Sequence, residues 1–454
     1  MISSYLLLSI GFIILLGFGS FGLVSLREKE KRAAVISLGL ALAGLAIFTL
    51  SSLLPPPLRS IILIVAFLFL LVFLGLFLIP LGKVDLGNDQ PGNRFDERDI
   101  MFARHRLKSG TPEYKAYYAM RPQNQAPDDR TRLKPGLLSP DAQLADPYLF
   151  ASAEGSFDLT RALRKAVDGP VSTPAVPKNH PVPVQTMTDY LKNLALYYGA
   201  LDVGITRLHP YHVYSHVGRG SGVYGEPIPV RHHFAIAFTV EMDFYMVAAN
   251  PNPPGVMESA RQYVNAASVA VQLASTIRHL GYSARAHIDG NYQVIAPLVA
   301  RDAGLGEIGR MGLLMTPGLG PRVRLGVVST DLDLVPAHRQ PNRSVIDFCS
   351  ICKKCAENCP SKAIPFQDRQ ELDGAMRWRI DSDACFHYWN IIGTDCGRCM
   401  AVCPYSHPNS FHHNLVRWGI AHSGFFRRIA LNLDDLFYGS KPAPHKAPGW
   451  IAIL

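Results

Sequence analysis

The first 104 residues contain no histidine and no cysteine, and His105 is the first of the sixteen histidines in the chain. Three stretches within this region also lack any charged residue: Met1–Leu26, Ala33–Leu58 and Ser60–Gly82. Each exceeds the roughly 18 apolar residues that mark a spanning helix. Without histidine or cysteine ligands these helices are not expected to carry a haem, and without buried acids or bases they are not expected to form an ion path. The sequence therefore predicts a three-helix membrane anchor over residues 1–82.

No positive charge precedes the first apolar run, and no Arg-Arg pair lies near the N-terminus. Neither a standard secretory signal nor a twin-arginine signal is therefore expected. The loop REKEKR after the first run holds four basic residues, whereas the loop PPPLRS after the second holds only Arg59. The positive-inside bias places the first loop and everything after residue 82 in the cytoplasm. We expect a multi-pass protein of the inner (cytoplasmic) membrane with its main domain facing the cytoplasm.

Basic residues give the chain a formal net charge of +9, but they are scattered rather than gathered in one stripe. No nucleic-acid partner is expected from such a distribution. Residues 83–185 are rich in proline and charge and are predicted to be an extended wrapping segment.

Residues 186–344 alternate strand patterns, such as HHFAIAFTVEM and VRLGVVSTDL, with a long helix pattern that ends at Gly281. This alternation predicts an α/β core. Residues 345–408 hold the cysteines, and residues 409–454 are predicted to be short amphipathic helices that close the fold.

All eight cysteines lie in the region 345–408, in two groups. The first group is C-x2-C-x2-C-x3-C-P, from Cys349 to Pro360, and the second is Cys385 followed by C-x2-C-x3-C-P, from Cys396 to Pro404. Disulfides are disfavoured on the cytoplasmic side, and zinc remains an alternative for paired C-x2-C motifs. The x3 spacing and the trailing proline, each seen twice, favour two 4Fe–4S clusters over zinc.

In the bacterial ferredoxin motif the fourth cysteine ligates the other cluster. The first predicted cluster is therefore held by Cys349, Cys352, Cys355 and Cys403. The second is held by Cys359, Cys385, Cys396 and Cys399. These sets use every cysteine and leave none for nucleophilic chemistry. Two such clusters relay electrons, so a redox site is expected at the end of the relay.

The segment GLGEIG, residues 304–309, matches the dinucleotide pattern G-x-G-x-x-G. That fingerprint should follow a strand and open a helix, whereas here several glycines and a proline interrupt the sequence that follows. Gly304, Gly306 and Gly309 are instead expected to let the backbone approach some other large, flat cofactor closely.

From about residue 94 onwards, the sequence resembles the corrinoid and iron–sulfur reductive dehalogenases. The segments that carry the resemblance are FDERDIMFARHRL, ALYYGALDVGITRL, FTVEMD, LGYSARAHIDGN, AGLGEIGRMGLL, GPRVRLGVVSTDLDL, the double cysteine motif and DDLFYGSKP. The resemblance implies a nitroreductase-like α/β core that binds base-off cobalamin, with the ferredoxin-like segment packed against it. No D-x-H-x-x-G signature occurs, which agrees with a cobalt that receives no protein histidine. Unlike the usual respiratory members, this chain carries its own spans.

The implied reaction is the reductive removal of halide from a small organohalide, with electrons passing through both clusters to cobalamin. The donor would be reduced ferredoxin, flavodoxin or a quinol. The resemblance also implies that Tyr263 is the proton donor, Arg324 its basic neighbour and Asn291 a third pocket residue. A guanidinium in contact with the phenol would lower its pKa and steady the phenolate.

Alternatives remain for several of these positions. Arg322 could be the real basic partner because it lies two residues from Arg324, Tyr245 is a rival donor, and Tyr263 could simply pack on the core. Arg310 is a candidate to bind a cobalamin side group, and Trp389 is a candidate to line the substrate pocket or to pack against a cluster. His407, His412 and His413 are predicted to be solvated surface histidines.

Two other functions stay open. Epoxyqueuosine reductases share the corrinoid core and the clusters, but they are soluble and act on transfer RNA, which the three spans disfavour. A membrane-tethered electron carrier with a non-catalytic corrinoid fold would need only iron and sulfide.

Overall fold

The computed structural model describes residues 2–79, 85–172 and 182–451. The chain divides into two compact units. The first unit comprises Met1–Val84 and Asn409–Pro442, and the second comprises Asp85–Pro408 and Ala443–Leu454.

Three long apolar helices open the first unit: α1 (Ile2–Arg27), α2 (Lys31–Ser52) and α3 (Pro56–Leu78). Each is long and apolar enough to cross a membrane. α1 and α2 pack closely, since a Cβ on Gly22 would lie 2.9 Å from the side chain of Leu38. Their outer faces expose many large apolar side chains, which suits lipid rather than water. The three helices predicted from the sequence are therefore present.

Residues 85–172 are not the extended segment that we predicted. They contain four α-helices: α4 (Met101–His105), α5 (Pro112–Met120), α6 (Gln125–Arg132) and α7 (Pro147–Leu163). The prolines that suggested irregular chain occupy the first turns of α5 and α7, where a missing N–H costs nothing. Thr111 and Asp146 cap these two helices with their side-chain oxygens.

A four-stranded antiparallel sheet forms the core of the second unit. The helices and strands of this region are α8 (Val184–Tyr197), β1 (Asp202–Arg207), β2 (Phe234–Glu241), α9 (Phe244–Ala248), α10 (Pro254–His279), β3 (Ala284–His287), α11 (Ala296–Asp302), β4 (Glu307–Ile308), β5 (Leu314–Met315) and β6 (Val323–Thr330). The strand order is β1-β2-β6-β3, with Val240 of β2 opposite Arg324 of β6. β4 and β5 pair separately as a short hairpin.

The sheet is buried on both faces, as the continuous apolar run of β2 indicates. One face packs with α10, through residues such as Phe238, Ala270 and Val328. The other face packs with α11, through Ala237 and Val299 among others. The strands and the long helix predicted from the sequence are therefore present at the predicted positions.

The cysteine segment adds short helices and one hairpin to the second unit. They are α12 (Arg343–Cys352), α13 (Lys354–Glu357), β7 (Gln370–Leu372), β8 (Ala375–Arg377), α14 (Ser382–Ile392) and α15 (Arg398–Ala401). Residues 85–408 form one compact unit. The domain borders predicted at 185 and 344 therefore fall inside this unit, between neighbouring helices and strands.

The C-terminal segment 409–454 is divided between the units, whereas we predicted one closing segment. Helices α16 (Phe411–His422) and α17 (Gly424–Tyr438) belong to the first unit, with the apolar helices. The chain then returns to the second unit, where His445 donates its backbone N–H to the carbonyl of Ala248 at 3.0 Å. The reason is that α16 and α17 are amphipathic and find their apolar partners on α2 and α3.

Candidate active site

The eight cysteines gather into two adjoining groups of four. The Cys403 thiol has Cys349, Cys352 and Cys355 as its electrostatic neighbours. The members of the second group likewise influence one another, and they are Cys359, Cys385, Cys396 and Cys399. These neighbours are those of the two predicted ligand sets, except that Cys355 of the first set also influences Cys399 of the second, and the sets themselves stay a prediction.

The backbone conformation fits the predicted arrangement, in which the fourth cysteine of each motif binds the cluster of the other motif. Lys353 takes a left-handed conformation (φ +55°) between α12 and α13. Cys396 and Gly397 take the same conformation before α15, with φ values of +55° and +60°. The chain therefore makes the same sharp turn in both motifs, and α13 packs against α15. This packing brings the end of each motif to the start of the other.

The geometry of the cysteines favours cubane clusters over zinc. All eight are free thiols rather than disulfides. Among the described residues, no three His, Cys, Asp or Glu side chains are close enough together to hold a single metal ion. Thiolates on a cubane stand farther apart than thiolates on one zinc ion, since each binds a different iron.

Burial gives these thiols an environment that needs a compensating positive charge. It raises the pKa of Cys355 and Cys396 to about 12 and that of Cys385 to about 11. A buried thiolate is costly on its own, and iron supplies the charge that stabilises it. The residues present thus fit two iron–sulfur clusters.

The glycine loop, residues 304–309, contains β4 and lies against β5 on one side and the first cysteine group on the other. A Cβ on Gly306 would lie 2.2 Å from the carbonyl oxygen of Met315, so no side chain fits there. A Cβ on Gly309 would lie 2.7 Å from Met315 Cγ and 3.5 Å from Cys349 Sγ. Gly304 has φ +83°, which glycine adopts without strain. Part of the glycine requirement thus comes from the protein's own hairpin rather than from a cofactor.

Arg310 holds the first cysteine motif in place. The guanidinium is buried and donates to the carbonyls of Cys349 (2.9 Å), Ser350 (3.2 Å), Pro365 (2.8 Å) and Gln367 (2.6 Å). The guanidinium also lies 3.5 Å from Asp368, and its carbon lies 5.2 Å from the centroid of the Trp378 ring. With its donors engaged in this way, Arg310 ties the glycine loop to the cluster segment, and the cofactor contact that we predicted for it finds no support in this geometry.

A largely apolar cavity of about 600 Å³ adjoins the glycine loop within the second unit. Its lining includes Phe95, Tyr214, Ile308, Gly309, Gly312, Ile346 and Trp378. Gly309 lines this cavity and also lies next to Cys349, so the cavity and the first cysteine group have a residue in common as neighbour. Such a volume lies within the range typical of cofactor and ligand sites, about 300–1,000 Å³.

Tyr263 and Arg324 are in direct contact, as predicted. The Arg324 guanidinium carbon lies 4.7 Å from the centroid of the Tyr263 ring, so that the cation covers the ring face. Tyr263 comes from α10 and Arg324 from the start of β6, which packs beneath that helix. Both side chains lie deep in the second unit yet stay partly accessible.

The pKa of Tyr263 does not move in the direction that we predicted. Arg324 lowers this pKa, but burial and the nearby Asp289 and Asp395 raise it by more, so that the pKa lies above its usual value. The phenol is therefore protonated at neutral pH and carries the proton that a donor needs. The cation of Arg324 limits the rise and does not reverse it.

Two residues that sequence reasoning missed hold Arg324. Its Nη2 donates to Ser259 Oγ at 2.6 Å and to Asp395 Oδ2 at 3.0 Å. Ser259 lies one helical turn before Tyr263 on α10, and Asp395 directly precedes Cys396. In the sequence, only the position of Asp395 next to the predicted cluster ligand Cys396 could have suggested a role for it. The guanidinium is thus held between the tyrosine helix and the second cysteine group.

The hydrogen-bond partners of Asn291 are residues other than Tyr263 and Arg324. Its Oδ1 accepts from Arg285 Nη2 at 2.8 Å and from the backbone N–H of Ser221 at 3.2 Å. The next residue, Tyr292, is an electrostatic neighbour of the pair: Tyr263 and Arg324 both influence its pKa, and Tyr292 influences that of Arg324. Burial raises the pKa of Tyr292 well above its usual value. The structure therefore adds Tyr292 to the candidate pocket, and Asn291 stays a prediction.

Arg322 and Tyr245, the alternatives to Arg324 and Tyr263, have other contacts. Arg322 precedes β6, is buried, and binds Glu241 at 2.8 Å, the carbonyl of Ser406 at 3.0 Å and the carbonyl of Met242. It therefore links the end of β2 to the cysteine segment. Tyr245 lies on α9 next to Phe244, with 5.4 Å between the ring centroids.

Trp389 packs at the second cysteine group. Its ring centroid lies 5.8 Å from that of Phe102 and 6.3 Å from that of Phe386. The indole nitrogen is buried without a hydrogen-bond partner of ordinary geometry, and the indole lowers the pKa of Cys385, which burial raises. This position fits packing against the second cluster.

Comparison with known proteins agrees with this arrangement. The 4Fe–4S dicluster domain model matches residues 348–407. The tetrachloroethene reductive dehalogenase of Sulfurospirillum multivorans is 33% identical over 307 residues, which cover 60% of this chain and 60% of that protein. That of Desulfitobacterium hafniense is 35% identical over 194 residues, covering 40% of this chain and 34% of that protein.

Two further similarities concern the fold and a rival family. The solved structure of the catabolic reductive dehalogenase NpRdhA matches with a TM-score of 0.64 and 24% identity, covering 79% of this chain and 49% of that one. The epoxyqueuosine reductase of Lactococcus garvieae is 32% identical over 114 residues, covering 24% of this chain and 31% of that protein.

The chain thus spans from about a third to 60% of the length of these curated dehalogenases. By sequence the chain is similar to the tetrachloroethene reductive dehalogenases over 60% of its length, and by fold it is similar to NpRdhA; it also carries a 4Fe–4S dicluster segment and three apolar N-terminal helices long enough to cross a membrane.

Proposed function

We propose that this chain is a corrinoid-dependent reductive dehalogenase that removes halide from a small organohalide, with electrons relayed through two 4Fe–4S clusters to base-off cobalamin. The observation that carries the proposal is the Tyr263–Arg324 pair, with the guanidinium carbon 4.7 Å from the ring centroid. The pair is tied through Asp395 to the second cysteine group, so a protonated phenol and an electron relay are parts of one site.

The described residues fit a corrinoid in one specific way. The apolar cavity of about 600 Å³, with Gly309 and Gly312 in its lining, is the space within the second unit that we propose for the flat macrocycle. When bound, cobalamin would supply the reducing electrons that break the carbon–halogen bond.

The chain's own residues would supply the proton. Loss of halide with two electrons leaves carbon in need of one proton, which Tyr263 carries on its hydroxyl. Arg324 would steady the phenolate that remains, because its charge lies over the ring and it stays protonated. Ser259 and Asp395 act through Arg324 by fixing its orientation.

The electron path follows from the positions of the two cysteine groups. The first group borders the cavity at Gly309, and the second reaches Arg324 through Asp395 and packs against Trp389. We infer that the first cluster hands electrons to the corrinoid and that the second receives them. The donor would be ferredoxin, flavodoxin or a quinol, on the cytoplasmic side of a multi-pass anchor.

The test is anaerobic reconstitution of the full-length protein with iron, sulfide and cobalamin, followed by a halide-release screen over aryl and alkyl halides with a low-potential reductant. We expect halide and the hydrogen-substituted product in equal amounts from at least one class. Tyr263→Phe is the matched control, since it should bind cobalamin and both clusters without turnover. Failure to bind cobalamin at all would contradict the proposal and leave the electron-carrier function.

Epoxyqueuosine reduction is the second candidate, supported by the match of 32% over 114 residues. The same reconstituted protein, offered an epoxyqueuosine-containing transfer RNA stem–loop, decides between them. Conversion to queuosine without any halide release would favour this second function.

A further inference from the structure

Helices α16 and α17 carry an exposed apolar stripe. On α16 the residues Phe411, Leu415 and Trp418 are 75%, 53% and 53% exposed, and their spacing of four and three residues places them on one face. On α17 the residues Leu433 and Leu436 are 38% and 45% exposed. Aromatic and leucine side chains in a contiguous exposed patch mark a contact surface rather than a solvated one.

A polar stripe runs along α17 beside the apolar one. Arg428 and Asn432 are exposed and four residues apart, so they share a face. Leu433 lies about 100° around the helix from Asn432, and Leu436, four residues after Asn432, lies at the border between the two. A polar and an apolar side next to each other are typical of a helix that lies in the plane of a membrane surface, with one side in lipid and the other in water.

Aromatic contacts join both helices to the ends of the membrane spans. Trp418 stacks on Phe77 of α3 with 5.7 Å between the ring centroids, and Phe425 meets Phe73 of α3 at 6.1 Å. Phe437 meets Phe21 of α1 at 5.3 Å. Phe21 and Phe77 lie in the last turns of α1 and α3, so these contacts fall at the bundle end where the loop between α1 and α2 also lies.

Polar contacts also hold α16 and α17 against the ends of the apolar helices. His413 is buried, and its Nε2 lies 3.0 Å from the buried carboxylate of Glu28. Arg32 donates from Nε to the carbonyl of Leu436 at 3.0 Å, and His412 lies 3.0 Å from the hydroxyl of Ser20. We predicted His412 and His413 to be solvated surface histidines, and for His413 this is wrong, because Glu28 buries it.

The bundle end also carries positive charge. Four exposed basic residues surround the loop between α1 and α2: Arg27, Lys29, Lys31 and Arg32. Such juxtamembrane charge attracts anionic lipid headgroups. The basic cluster and the aromatic residues thus occupy one level, as in the interfacial belts of membrane proteins.

We propose that α16 and α17 form a second membrane-binding element, which lies on the bilayer surface with its apolar stripe in the acyl-chain boundary and Arg428 and Asn432 towards water. The bilayer is the occupant because the stripe is continuous with the spans through Phe73 and Phe77, whose helix exposes its apolar faces to lipid. This inference does not depend on the proposed reaction.

The test uses the full chain in vesicles of phosphatidylethanolamine and phosphatidylglycerol. The photo-crosslinking residue p-benzoylphenylalanine replaces Leu415 in one variant, Leu433 in a second and Asn432 in a matched control on the same helix as Leu433. We expect phospholipid adducts, identified by mass, to be several-fold more abundant at 415 and 433 than at 432.

A second measurement does not depend on how these variants fold. Fluorescence of Trp418, taken as the difference between wild type and Trp418→Phe, should be quenched by lipids brominated near the headgroup end of the acyl chain. Crosslinks from 415 and 433 to protein instead of lipid, whether to a second copy or to this chain, would overturn the proposal. Equal adducts at 432, or no quenching of Trp418, would do so as well.

Discussion

Removing the Arg324 charge should raise the pKa of Tyr263 and slow proton delivery. The guanidinium carbon lies 4.7 Å from the ring centroid, and a cation and a phenolate about 5 Å apart attract each other by about 3 kcal/mol if the effective dielectric constant is about 20. That energy corresponds to roughly two to three pKa units. If all of it is lost from the transition state, turnover in Arg324→Ala falls by about 10²- to 10³-fold. Arg324→Lys keeps the charge, loses the planar fork, and should lose less.

The assay is halide release under single-turnover conditions with both clusters and cobalamin reduced. Tyr263→Phe should lower the rate by about 10²- to 10⁴-fold, the usual worth of a positioned acid. The double variant should be little worse than the worse single one, because the two residues act as one unit. Tyr245→Phe is the matched control for losing a buried hydroxyl, and it should keep its rate.

The pH profile separates this role from a structural one. Activity that depends on protonated Tyr263 is lost as the pH rises through its pKa, so the alkaline limb reports that pKa. Loss of the Arg324 cation favours the neutral phenol, and the limb should therefore move to higher pH in Arg324→Ala. An unmoved limb, or full turnover by Tyr263→Phe, would refute the assignment and direct attention to Tyr245.

The remaining predictions concern metal, topology and cofactor. Reconstituted protein should hold close to eight iron and eight sulfide, because eight cysteines form two sets; Cys349→Ala and Cys403→Ala should abolish the same cluster signal, whereas Cys385→Ala abolishes the other. A zinc content or a single cluster would contradict this. A reporter fused after Leu454 should be active only in the cytoplasm, and the opposite result would reverse the orientation. Ile308→Trp puts an indole into the apolar cavity and should lower bound cobalamin while iron stays unchanged; unaltered cobalamin would place the corrinoid elsewhere.

The features that local sequence determines could be predicted. Ligand exchange between the cysteine motifs follows from their spacing, and the three spans follow from hydropathy alone. The buried strand and the long helix were visible because apolar residues recur without a break in β2 and at helical spacing in α10. Each of these signals lies within a few tens of residues.

Contacts between distant residues could not be predicted. Asp395 reaches Arg324 across 71 positions, and His413 reaches Glu28 across 385. Arg310 was assigned to the cofactor because it follows the glycine motif, yet the carbonyls that it binds belong to the cysteine segment. The Tyr263–Arg324 pair was found only through family resemblance, since periodicity alone would make Tyr263 a packing residue.

The exchange of cysteines between motifs also sets the order in which this protein can mature. In the predicted ligand sets Cys403 belongs with Cys349, Cys352 and Cys355, so the first set is incomplete until 54 further residues have been synthesised after Cys349, and Cys359 waits 40 residues for Cys399. Neither cluster can be loaded onto a half-made segment. The helices that return to the membrane spans, α16 and α17, leave the ribosome only after Cys403. Cluster delivery therefore meets a chain whose three N-terminal apolar helices have already left the ribosome.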